Sequence, residues 1–214
     1  MKSSKRKSVL FVMLALVMLL LNGLMVFAAE KTELTSEEIL AEVNAYLDQH
    51  PQVIDLEEQI VKQQIPLSNG ESVTITHELK KVSSQSSTRE LFVGKLGTWD
   101  CISTMNMSGK GSITVTTTIN VTHIPDMSSS EVDLIQFTAY NGRVEAIPFQ
   151  YMAISGTSAS TKTELENLWY KTTGYVGFTS PDFNINYYYT QSLSFVDNFS
   201  EDRDKISITL TVTP

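Results

Sequence analysis

The stretch 112-SITVTTTINVT-122 decides the fold class. In an extended backbone successive side chains face opposite ways. Ile113, Val115, Ile119 and Val121 then share one face, and Thr114, Thr116, Thr118, Asn120 and Thr122 the other. Oil on one side and hydroxyls on the other mark a half-buried antiparallel strand. Threonine keeps β propensity high on the polar side without exposing apolar surface.

The same period extends both ways from this strand. Ser108-Gly109-Lys110-Gly111 is a turn that joins it to a segment where Trp99, Cys101 and Met105 share a face. Further upstream Val73, Ile75, His77 and Leu79 alternate with Thr74, Thr76 and Glu78, before a serine-rich loop over 83–88. Downstream, Asn141-Gly142 supplies the positive φ angles of a type I′ turn and predicts a hairpin between 132–140 and 143–154. Residues 155–163 read as a loop of small residues and 164–170 as a short helical turn. Last strands are expected over 174–179, 185–196 and 206–212. Roughly seven to nine such strands in antiparallel hairpins predict a mainly β fold, an antiparallel β-sandwich, with a β-barrel as the alternative.

Residues 35–65 have a different period. Thr35 and Glu38 have the spacing of a capping box, and Ile39, Leu40, Val43 and Leu47 follow as a helical stripe that His50-Pro51 ends. Val53, Leu56 and Ile60 repeat the stripe and predict a second helix, closed by Pro66 and Ser68-Asn69-Gly70. The expected organisation is a signal peptide over 1–28, a helical segment over 29–70 and a β-sandwich over 71–214.

The leader rests on charge and hydropathy. Lys2, Lys5, Arg6 and Lys7 precede an apolar stretch over 9–29, with no acidic residue before Glu30. Val26 and Ala28 suit a signal peptidase that cuts between Ala28 and Ala29. An uncleaved anchor is the competing reading, because about 20 apolar residues span a bilayer. Asn22-Gly23 interrupts the stretch and favours cleavage. In style the leader resembles signals of Gram-positive bacteria. The expected location is therefore secreted and extracellular, with no membrane attachment after the cut. Cleavage leaves 12 basic against 24 acidic side chains, a net charge of −12. Such a surface repels phosphate backbones, so nucleic acid is not an expected partner. Cys101 is the only cysteine, so burial alone must hold the fold.

No catalytic motif is present. Cys101 would need a base, yet His50, His77 and His123 fall in different elements, and its shared face with Trp99 predicts a buried, inert thiol. The expectation is a non-catalytic binding protein, with an unrecognised extracellular hydrolase kept as a rival. Asp197, Asn198, Glu201, Asp202 and Asp204 crowd one turn with oxygen donors of the kind calcium takes. Their spacing matches no EF-hand, and a solvated acidic turn is the competing reading. No cofactor is expected, calcium being the alternative. Aromatic rings gather late, and Trp169, Tyr187 and Tyr189 are the candidate ligand-binding residues. Planar rings on a β-sandwich resemble the sugar platforms of carbohydrate-binding modules, which implies a cell-wall or other surface glycan as partner, a surface protein being the alternative. Core packing of those rings is the competing reading. The threonine-rich hairpin over 98–122 also resembles the insertion strands of pore-forming toxins, which implies membrane activity. An ordinary sandwich strand has the same alternation.

Overall fold

The expected stripe forms one helix, α1 (Ser36–Gln49), whose buried side chains include Ile39, Leu40, Val43 and Leu47. Its capping box is complete: the Thr35 N–H donates to Glu38 Oε2 at 2.8 Å and the Glu38 N–H to Thr35 Oγ1 at 3.3 Å. The Thr35 N–H, and then the Thr35 hydroxyl at 3.0 Å, donate to the Glu38 carboxylate and hold it below the usual carboxylate range. The computed structural model describes residues 33–84, 95–107, 109–124, 134–148, 154–181, 184–195 and 205–214. The leader with Ala28 and Ala29, and the acidic turn of Asp197, Asn198, Glu201, Asp202 and Asp204, lie outside the described residues.

Beyond Pro51 the chain is extended rather than helical. Strands β1 (Gln52–Asp55) and β2 (Ile60–Pro66) replace the expected second helix. The Glu57 N–H donates to Asp55 Oδ1 at 2.7 Å, and Gln59 takes a φ of 60°. That side-chain bond offers the backbone a turn where a helix would need to continue. Val53 and Ile60, read as a helical stripe, are exposed; Ile54, Leu56 and Ile65 are the buried residues. The boundary between helical and β parts therefore moves back from residue 70 to residue 50, and residues 34–214 form one unit.

Eight longer strands follow: β3 (Ser72–Ser84), β4 (Gly97–Met107), β5 (Gly111–Ile124), β6 (Leu134–Ile147), β7 (Gly156–Glu166), β8 (Trp169–Thr179), β9 (Asn184–Phe195) and β10 (Lys205–Thr213). They build two five-stranded antiparallel sheets, β2-β3-β4-β5-β6 and β1-β10-β9-β8-β7. The sheets pack face to face without closing into a barrel, so the fold is the β-sandwich the alternation predicts. Helix α1 lies on the end of the second sheet, where Asn44 Nδ2 donates to the Val212 carbonyl at 2.7 Å.

Two turn expectations are corrected. Asn141-Gly142 is no hairpin; it lies inside β6, where the register against β5 shifts between Thr116 and Thr118. Two residues oppose the single Thr117, which makes a β-bulge, and the φ of 50° at Asn141 serves that bulge. Gly142 is required there, because an added Cβ would stand 2.4 Å from a Thr172 methyl and 2.7 Å from Thr163 Oγ1. The loop and helical turn expected over 155–170 are instead the hairpin β7–β8. Its turn is Asn167-Leu168, with φ of 50° and 69°. Leucine in the left-handed region is strained, and this one is 88% exposed. Leu168→Gly is expected to raise stability by about 1 kcal/mol, read as a higher denaturant midpoint with an unchanged slope.

Candidate functional site

Parity along β9 sorts its rings. Tyr187, Tyr189, Gln191 and Leu193 point between the sheets, and Tyr188 points out. Tyr187 and Tyr189, expected as ligand-binding rings, are both buried in the larger of two apolar clusters. Tyr187 packs edge-on against Phe178 at 6.1 Å between centroids, and its hydroxyl donates to Ser36 Oγ at 3.4 Å. The Tyr189 hydroxyl donates to the Ser160 carbonyl at 3.0 Å and lies 2.6 Å from Thr161 Oγ1. Gly174 makes room for it: an added Cβ would meet the Tyr189 hydroxyl at 2.7 Å. Neither ring is placed to stack on a ligand. The pairing of a polar tip with apolar burial explains why tyrosine serves at these two positions.

The ring that faces outward is Tyr188, 51% exposed. Its register partner on β8 is Tyr175, and the two rings tilt toward each other at 6.2 Å between centroids and 51° between planes. Thr190 and Asn186 follow Tyr188 on the same face of β9, and Thr173 and Gly177 flank Tyr175 on β8. Ser160 on β7 and Thr213 on β10 continue the row on either side. The result is a sheet face of hydroxyls and amides with two rings at its centre. Trp169 opens β8 on that same face, half-buried, six residues from Tyr175.

The interior carries a second polar group set. Gln191, fully buried, donates through Nε2 to Ser103 Oγ at 2.6 Å and to the carbonyls of Cys101 and Val115 at 3.2 and 3.3 Å. Its Oε1 accepts from the Thr117 hydroxyl, which also meets Thr172 Oγ1, which in turn meets Thr163 Oγ1 at 2.9 Å. His77 Nδ1 lies 2.9 Å from Ser103 Oγ, and its Nε2 has no hydrogen-bond partner among the described residues. This seam separates the two apolar clusters. Burial holds the His77 imidazole down to about 4, so the ring is neutral. Burial, and then the charge of Asp100, pushes the Cys101 thiol far above its ordinary range. An inert thiol is what its shared face with Trp99 predicts.

Outside, Asp100 accepts from Arg143 at 2.9 Å and from Thr118 Oγ1 at 2.8 Å on the far face of the other sheet. Strands β4 and β5, which carry the toxin-like hairpin, are interior strands of that sheet, and their apolar face is filled by the core. Among the described residues no three acidic, histidine or cysteine side chains converge on a metal-sized site. Compared with known proteins, the chain matches no family model, no curated protein and no solved structure.

Proposed function

We propose that the protein is a secreted, non-catalytic binding module that holds a glycan of the cell wall or another surface polysaccharide on the outer face of β8 and β9. The observation that carries this reading is the outward pair Tyr175 and Tyr188. A sugar ring has an apolar face and an equatorial fringe of hydroxyls. Aromatic rings cover the first, and Asn186, Thr173, Thr190 and Ser160 offer donors and acceptors to the second. A flat sheet face fits an extended polymer better than a small free sugar, which needs a cleft to bury most of its surface. The net charge of −12 after leader removal favours neutral or cationic polymers over anionic ones.

Co-sedimentation with insoluble cell walls and with purified neutral polysaccharides tests the reading. Tyr188→Ala is expected to weaken retention by about 2 kcal/mol, roughly thirtyfold, as for an anchoring tyrosine at an interface. Tyr187→Phe, which changes only a buried hydroxyl, is expected to leave it unchanged. Binding that survives loss of both outward rings would overturn the proposal.

A further inference from the structure

Strand β7 forms one margin of its sheet. Among the described residues its register partner is β8 alone, and nine of its eleven residues are exposed. A strand with one open side presents a row of backbone donors and acceptors that another strand can take. Many proteins blunt such a margin with charge, and β7 carries Lys162, Glu164 and Glu166 on one face. Their order does more than repel.

We propose that β7 is the contact by which two copies of this chain pair edge to edge, antiparallel, about a twofold axis at Thr163. In such a pairing residue numbers across the seam add to a constant, and the axis residue faces itself. With the axis at Thr163, Lys162 lies opposite Glu164 of the second copy, twice over, and Glu166 opposite Ser160. Moving the axis to Glu164 sets Glu164 against itself. Moving it to Lys162 sets the two lysines together. An axis at Glu164 would also face Lys162 with Glu166, but of these three only the central arrangement sets no like charges opposite, so the charges select a register as well as permitting one. Within one copy Lys162 Nζ meets Glu164 Oε1 at 2.6 Å, and both side chains are more than half exposed, so each can exchange that partner for its counterpart across the seam.

A second observation points to the same margin. Leu165, 60% exposed, and Leu168, 88% exposed, stand at the end of β7 and in its turn. Leu168 also holds a φ of 69°, where glycine would be relaxed. An exposed leucine kept in a strained conformation gains nothing within one copy; at a seam between two copies it is covered. Pairing joins the sheets into one of ten strands, with two Tyr175–Tyr188 faces side by side. Tyr175 is level with Ser160, which this register sets six residues along from its counterpart, so the two Tyr175 residues lie three strand spacings apart and staggered, about 25 Å in all.

Sedimentation velocity of the protein, expressed from the full chain so that the host's processing is retained, tests the pairing. The wild type is expected to show a concentration-dependent species of twice the monomer mass. Lys162→Glu alone and Glu164→Lys alone are each expected to be monomeric, because each sets like charges opposite. Mixing the two variants is expected to restore the double-mass species, since each chain now supplies what the other lacks. Leu168→Gly is expected to weaken association severalfold while stabilising the monomer. A wild type that stays monomeric at its highest soluble concentration, or single variants that still pair, would overturn the proposal.

Discussion

Gln191→Ala is expected to destabilise the fold by about 4 kcal/mol, measured as loss of unfolding free energy in urea. Four partners converge on that amide: the hydroxyls of Thr117 and Ser103 and the carbonyls of Cys101 and Val115. Truncation leaves several of them buried without a bond, each costing roughly 1–3 kcal/mol, and adds a cavity between the sheets. Gln191→Leu separates the two causes. It restores volume and removes the hydrogen bonds, so a loss close to that of the alanine variant assigns the cost to the orphaned groups. Recovery of most of the stability would assign it to packing, and the seam would then be no more than tolerated.

Acidification is the second large effect. His77 is neutral in the folded protein, held down to about 4 by burial, against an ordinary value of 6.5. Above pH 6.5 both folded and unfolded chains carry a neutral ring, and the group contributes no slope. Between pH 6.5 and about 4 the unfolded chain binds a proton that the folded one refuses, so stability falls with pH. Below about 4 both are protonated and the loss levels off at roughly 3 kcal/mol. The measurement is the difference in unfolding free energy between wild type and His77→Gln across that range, which removes the carboxylates common to both. Equal slopes in the two proteins would show that the ring titrates normally or finds a partner.

The sequence made the class of fold legible and the details unevenly so. The alternation over 112–122 and the capping box at Thr35 were read correctly because each depends on local geometry alone. Asn141-Gly142 misled, because the same positive φ that closes a hairpin also forms a bulge, and only the partner strand distinguishes them. β7 was hidden by its position: a margin strand buries little, so its inward row of Thr157, Ala159, Thr161 and Thr163 lacks the oil that marks a strand. In the late aromatic run the parity was available. Ile185 and Leu193 share odd numbers with Tyr187 and Tyr189, while Asn186, Thr190 and Ser192 share even numbers with Tyr188. Reading the whole strand rather than its three rings places Tyr188 outside. Its neighbour Tyr175 depended on a cross-strand register that no local pattern supplies.

Strand β1 pairs with β10, whereas the other strands of both sheets join their neighbours in chain order. A ribosome or an export channel delivers the polypeptide amino end first. The β2–β6 meander can therefore zip as soon as it emerges, but Ile54 and the apolar stripe of the helix stay only partly covered until Ile206, Ile208 and Val212 arrive. Completion of the second sheet is thus set by arrival of the nine-residue β10. A product released prematurely would display a sticky half-core for chaperones and proteases to recognise.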